Sequence, residues 1–412
     1  MKVIFWLSMA GILYAYFGYP AIMWALSRLR LKPWIAKPIC PSVSVVLAVH
    51  NGIVLLQRKI DHLIALDYSN IKEIIIVSDG STDGTTELLA HQHHPLLKTV
   101  VLKDHAGKAS AVNAGVAQAT AEVILFVDIR PEIAPGAIQQ LVSNFADPTV
   151  GCANGELIVR TQFRDRTSAV FGGLYWRYEK WIRTCESACG SPVGVYGGFY
   201  AVRRTLAVPQ PPGIILDDMF QPLSILRQGF RVVLDPKAYV YDTWPETVAG
   251  EFQRKVRTLA GNFQLFRLAP WTLTPRNPAL FQLISHKLMR LLVPFLLVAL
   301  LASTLVLSVA SPFYAAVAVL QSLGLAVAFV GHRYTLPIVH RITAPISAML
   351  ILNGAAVVGL YKFLFTRGPL WKIWGTSNVT PTSPPQTPEP SQPRASTAVS
   401  DLKVRFGDNP SH

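Results

Sequence analysis

The residues best placed to do chemistry stand at Val77-Ser78-Asp79-Gly80-Ser81-Thr82-Asp83-Gly84, where an apolar run, Ile74-Ile75-Ile76-Val77, stops in a turn carrying two carboxylates. β-Branched residues in sequence suit a strand covered on both faces, and Asp-Gly-Ser with Asp-Gly are turn formers. Carboxylates at the carboxyl end of such a strand lie where α/β sheets bind ligands, which points to a nucleotide site. The competing reading is that Ser78 or Asp79 caps the helix beginning near Thr86.

The elements needed to hold this turn are legible on either side of it. Ser42 to Val49 reads as a strand ending at His50-Asn51-Gly52, and Val54 to Leu66 as a helix leading to the Ile74 strand, which together make a βαβ unit. Thr99–Leu102 supplies a further strand, Lys108–Gln118 a helix, and Val123–Val127 a fourth strand that again ends in an acid, Asp128. Right-handed crossovers predict a largely parallel sheet with His50, Asp79 and Asp128 along one edge. The first strand is not followed by GxGxxG, and the unit lacks GxxxxGK[ST], which argues against a dinucleotide dehydrogenase or a P-loop ATPase.

With 412 residues, 51% hydrophobic and only 15% charged, the chain is too apolar for an ordinary soluble enzyme. Uncharged runs at Val3–Ser27, Leu291–Gly331 and Ile342–Tyr361 explain the excess. The predicted organisation is an amino-terminal anchor (1–30), an α/β domain (40–268), interfacial segments (269–290), about three transmembrane helices (291–365) and a disordered Pro/Ser/Thr-rich tail (376–412). Arg28, Arg30 and Lys32 directly after the first run place the domain in the cytoplasm. A break at Ser308–Pro312 divides the second run into a hairpin. That count sends the tail outside, whereas Lys362, Arg367 and Lys372 favour the inside.

The net charge is +14, but the cations cluster near membrane boundaries and the candidate site, with no zinc-finger or RNA-binding motif. Membrane lipids and a diphosphate are therefore the expected partners, and nucleic acid is not. Four cysteines, Cys40, Cys152, Cys185 and Cys189, without zinc-type spacing, read as reduced structural residues. Tyr175 to Trp181 reads as a helix whose aromatics could stack on sugars, anchor at a membrane surface or pack in the core.

Four motifs, Ala48-Val49-His50-Asn51, Val77-Ser78-Asp79-Gly80-Ser81-Thr82-Asp83, Gly107-Lys108-Ala109 through Asn113-Ala114-Gly115, and Phe126-Val127-Asp128, resemble family 2 glycosyltransferases. Gly197 to Arg204, Leu216-Asp217-Asp218 and Arg254-Lys255-Val256-Arg257 extend the resemblance to its membrane-bound branch, which includes cellulose, hyaluronan and poly-N-acetylglucosamine synthases. The order of these motifs between an anchor and later spans is what makes the match specific.

The resemblance implies an α/β GT-A fold, inversion at the anomeric carbon, a nucleotide-sugar donor (a UDP-sugar first) and Mg²⁺ or Mn²⁺. By the same register His50 and Asp79 hold the base, Lys108 and Asn113 lie beside the nucleotide, and Asp128 is the metal ligand. Lys108 reads equally as an exposed lysine at a helix start. Arg130 stands where the second acid of the DxD motif belongs. It supplies charge to the diphosphate, or it marks a metal held by Asp128, phosphate and water, or it marks lost activity. Asp218, with Asp217 beside it, takes the place of the catalytic base, the alternative being an acidic helix cap. Arg254 and Arg257 match QxxRW with Gln and Trp replaced, and Arg257 retains the phosphate-binding role; as a pair on one helix face they also fit a lipid-contacting stripe.

The implied function is transfer of a sugar to a glycan or lipid-linked acceptor at a bacterial inner membrane, with envelope-synthesis proteins as possible partners. The rival readings are a non-catalytic membrane subunit that binds nucleotide or glycan, and a single-sugar transferase acting on polyprenyl phosphate.

Overall fold

The computed structural model describes residues 1–160, 173, 175–243, 247–333 and 337–374. Met1–Thr376 form one compact unit; Ser377–His412, which hold nearly all of the predicted tail, fall outside the described residues.

An eight-stranded sheet organises the domain. Its strands are β1 (Val43–Val49), β2 (Ile71–Asp79), β3 (Leu97–Leu102), β4 (Val123–Val127), β5 (Glu132–Ile133), β6 (Val150–Val159), β7 (Phe199–Arg203) and β8 (Arg231–Asp242), in the order β3-β2-β1-β4-β7-β6-β8-β5. The half formed by β3, β2, β1 and β4 is parallel, as the sequence predicts. Beyond β4 the sheet is mixed, because β7 runs antiparallel to both β4 and β6, and β5 antiparallel to β8. No α-helical crossover joins β4 directly to β7, so the parallel rule ends there.

Successive side chains on these strands pass to opposite faces, and both faces are covered. Val45, Leu47, Ile74, Ile76 and Leu125 pack beneath the helix Ile53–Ile64, through Leu56, Ile60 and Leu63. Val46, Ile75, Val77, Ile124 and Phe126 pack against the helices Lys108–Gln118 and Asp217–Arg227. At Gly115 an added Cβ would sit 2.6 Å from Val46 Cγ1, so the helix can lie this close to β1 only with glycine there. Close packing sets the height at which Lys108, at the start of that helix, meets the sheet edge.

Three helices are long and apolar enough to cross a membrane: Lys2–Leu29, Leu280–Ser308 and Ser347–Phe365, the last being part of a helix from Pro337. Pro312–Val327 is a shorter apolar stretch within the helix Pro312–Arg333. The helix into the second span starts eleven residues earlier than its uncharged run, at Leu280 rather than Leu291, and so includes His286, Lys287 and Arg290. Those polar side chains are tolerated because they have partners. His286 is wholly buried, with Nδ1 2.7 Å from Glu186 Oε1 and Nε2 3.2 Å from Glu179 Oε2, and Arg290 pairs with Glu179.

Both glutamates belong to the helix Trp176–Cys189, which carries most of the aromatic segment. Its Tyr178 and Trp181 line an open apolar groove with Tyr16, Phe17, Pro20, Ala21 and Trp24 of the first helix. Tyr178 donates its hydroxyl to the Tyr16 carbonyl at 2.5 Å and so ties this helix to the first, whereas Trp181 stays exposed. The four cysteines are free.

Candidate active site

β1, β2 and β4 end side by side, which brings His50, Asp79 and Asp128 to one edge of the sheet. Asp79 does not cap a helix: the next helix, Thr85–Ala90, starts after Gly84 with no side-chain cap. Its carboxylate instead accepts the backbone N–H groups of Ala106 (2.8 Å) and Gly107 (2.9 Å) and lies 2.9 Å from His105 Nδ1. His50 stacks on His105 with ring centroids 3.5 Å apart, and its Nδ1 lies 2.7 Å from the Asp79 carbonyl oxygen. A histidine pair thus forms a flat surface beside the turn. Gly80, at φ 58°, allows the chain to fold back here, since a Cβ would lie 2.3 Å from His105 N.

Lys108 is the centre of the next group. Its Nζ is 2.9 Å from Asp128 Oδ1 and 3.1 Å from Asp217 Oδ2, so one ammonium ties the end of β4 to the start of the helix Asp217–Arg227. Burial opposes that charge, but the two carboxylates outweigh it and lift the lysine above its usual range. Burial likewise opposes ionisation of Asp128, and Lys108, Arg130 and Arg257 together hold it below the ordinary carboxylate range. Lys108 does so by direct contact, and Arg130 and Arg257 by their charge.

Asp218 behaves differently from its neighbour. Burial, with the Asp217 carboxylate adding to it, pushes Asp218 up to about 7 against the pull of Lys108, Lys287 and Arg257. Its Oδ1 is buried without a hydrogen-bond partner. The loop before β7 presses on it: Val195 N donates to the Asp218 carbonyl at 2.9 Å, and a Cβ on Gly197 would meet Asp218 Cβ at 3.0 Å. A carboxyl group poised near neutrality with a free oxygen is suited to accept a proton from a hydroxyl.

Arg130 is half exposed and turned toward Asp242 at the end of β8, with Nη2 3.4 Å from Oδ2. Tyr196 donates its hydroxyl to the same oxygen at 2.7 Å. Beneath the loop, Lys59 donates to the Pro131 carbonyl at 2.6 Å; burial lowers this lysine to about 8, while Asp128, Asp242 and Glu132 hold its charge up. Arg257 is exposed and has no carboxylate partner among the described residues.

Two predicted site residues are engaged elsewhere. The Asn113 amide grips the backbone of Gln210, donating to its carbonyl (2.9 Å) and accepting from its N–H (2.8 Å). Arg254 makes a bidentate pair with Glu251 at 2.7 and 2.8 Å, one helical turn away. Conversely, sequence reasoning passed over His105, Tyr196 and Asp242. His105 could have been suspected, being two residues before Gly107 of a quoted motif; Asp242 gave no signal beyond standing at the end of an apolar strand.

A hard divalent cation takes six or more oxygen ligands. Among the described residues no three His, Cys, Asp or Glu side chains converge as a cage. Asp128 already has one oxygen on Lys108, and an arginine occupies the second acid's place. The side chains here do not make up a metal site by themselves.

The Glycosyl transferase family 2 pattern matches residues 44–208, from β1 to just past β7. The chain carries a family 2 glycosyltransferase domain. Curated relatives of the chain include the poly-β-1,6-N-acetyl-D-glucosamine synthase of Staphylococcus aureus (strain COL), 25% identical over 272 residues, covering 64% of this chain and 63% of the relative. The Staphylococcus epidermidis synthase is 24% identical over 241 residues, 56% of this chain and 57% of that one. The match thus spans about three fifths of the relatives' length. Among solved structures, the mannosyltransferase PcManGT from Pyrobaculum calidifontis, in complex with GDP-Man and Mn²⁺, superposes with a TM-score of 0.66 over 88% of this chain and 99% of that one, at 23% identity. That likeness gives the domain its GT-A fold.

Proposed function

We propose that this glycosyltransferase moves a sugar, with inversion, from a nucleotide-sugar donor to a hydroxyl of a glycan or lipid-linked acceptor at the bacterial inner membrane, in the synthesis of an envelope or secreted polysaccharide. The observation that carries the reading is Asp218: an acid pushed up to about 7, with a free oxygen, beside the Lys108-bridged pair Asp128 and Asp217.

In this reading Asp218 takes the proton of the acceptor hydroxyl as its oxygen attacks the anomeric carbon. The bond from that carbon to the diphosphate oxygen breaks with its electron pair, and Arg257, exposed and unpaired by any described carboxylate, meets the growing charge. The His50–His105 surface and the Asp79 turn receive the base. The complex of the Pyrobaculum enzyme with GDP-Man supports a nucleotide sugar as donor, with a UDP-sugar taken first from the motif resemblance; the Mn²⁺ of that complex supports a divalent cation, Mg²⁺ or Mn²⁺, as companion of the donor. Three candidate spans and basic residues after the first support multi-pass insertion with the domain cytoplasmic.

Thr258, in place of the tryptophan of QxxRW, removes an aromatic floor for a growing chain. That favours short products, down to single-sugar transfer to polyprenyl phosphate. A panel of UDP- and GDP-sugars with the purified full chain, analysed by product mass, tests the reading. Turnover of one donor is expected; donor binding without hydrolysis or transfer would instead support a non-catalytic subunit.

A further inference from the structure

We infer that the site carries its own counter-charge for the donor diphosphate, so that nucleotide binding does not depend on a divalent cation. The inference rests on the nucleotide-sugar reading above. Replacing an acid by Arg130 changes the local charge by two positive units, which equals the charge of the ion that a second acid would have helped to hold. The side chains around Asp128 agree with that exchange. Lys108 Nζ already occupies Asp128 Oδ1 at 2.9 Å and reaches Asp217 Oδ2 at 3.1 Å.

Lys108, Arg130 and Arg257 all keep donors free for phosphate oxygens. Lys108 has three N–H bonds, two of them directed at Asp128 and Asp217, and its side chain is 34% exposed. Arg130 is held loosely, at 3.4 Å from Asp242 and 3.5 Å from the Thr243 carbonyl, with nearly half of its side chain open to solvent. Asp242, which holds this guanidinium, is itself fixed by the Tyr196 hydroxyl. Arg257 is exposed. Planar guanidinium groups suit bidentate contact with phosphate, a geometry that a single ammonium lacks. Against this set, no cage of three ligating side chains stands among the described residues.

The test is calorimetric titration of UDP and of GDP into the purified full-length chain in detergent, with excess EDTA or with Mn²⁺. Affinity for the preferred nucleotide should differ by less than about threefold between the two conditions. Arg130→Gln should weaken binding in EDTA by about tenfold or more, and Arg130→Lys by less, as expected for a mostly electrostatic role. Wild-type binding at least tenfold tighter with Mn²⁺ would overturn the inference and leave the transferase reading standing. Failure of both nucleotides to bind in either condition would overturn the transferase reading, and the inference with it.

Discussion

The two ends of the parallel half-sheet each hold an acid with a buried oxygen, and they treat it in opposite ways. At the amino end, Glu73 is 2% exposed and fully partnered: Ser44 Oγ donates at 2.6 Å, Thr120 N at 2.6 Å, Thr120 Oγ1 at 3.0 Å, and Lys98 pairs with its other oxygen. Burial alone would raise it, but these partners bring it down to about 2. At the carboxyl end, Asp218 faces Asp217, leaves one oxygen without a partner and rises to about 7. Burial pushes both acids up, and their partners decide the outcome. One end ties β1, β2, β3 and the approach to β4 together, and the other leaves a proton acceptor unsatisfied.

The sharpest way to break this contrast is Asp218→Asn. Transfer should fall by roughly 10²–10⁴-fold, the usual contribution of a general base, while nucleotide affinity measured by calorimetry stays within about twofold. Next, Glu73→Ala should cost roughly 3 kcal/mol, because it leaves several buried donors unpaired, and should leave turnover per folded molecule unchanged; denaturant unfolding in detergent checks the first and a specific-activity assay the second.

The pH responses should have opposite signs. Glu73, with its folded value depressed, contributes stability above its unfolded value near 4.5 that is lost as pH falls toward 2. Asp218, with its value raised, contributes stability present below about 4 that is lost as pH rises through about 7, the same interval over which transfer should climb to a plateau. Thermal unfolding and kcat/KM across pH, compared between wild type and Asp218→Asn, should show both the stability fall and the rate rise vanish in the variant. The smallest effect is expected at Asp79, which sits at the functional edge yet is partnered like Glu73. Asp79→Ala should weaken UDP or GDP binding by about tenfold, mainly by loosening the Ala106–Gly107 turn, which is a change of about 1.4 kcal/mol.

The carboxyl edge was legible in the sequence because β-branched runs ending in acid-bearing turns fix both strand and strand end, and His50, Asp79 and Asp128 follow from that. The amino-end network was not. Ser44, Glu73, Lys98 and Thr120 look like ordinary polar residues until strand order sets them side by side. The partners of Asn113 and Arg254 were hidden for a related reason. A motif gives a residue's position, but a nearer partner, the Gln210 backbone or Glu251 one turn away, can claim its side chain. Asp242 was invisible because its place beside Arg130 depends on how β8 pairs with β6, where the register shifts twice.

The short turn Leu370–Trp374 follows the last span, and Trp371 from it packs on the domain. Its ring lies edge-on to His105, centroids 4.5 Å apart, and against the backbone of Gly107 and Gly213. The polypeptide therefore leaves the domain near His286 and is back on it by Trp371. For a bilayer lying beyond the domain, a path that starts and finishes on one side makes an even number of crossings. If Leu280–Ser308 and Ser347–Phe365 are the two full passes between these points, that parity is met, and Lys362, Arg367 and Lys372 would then lie on the same side as the sheet edge.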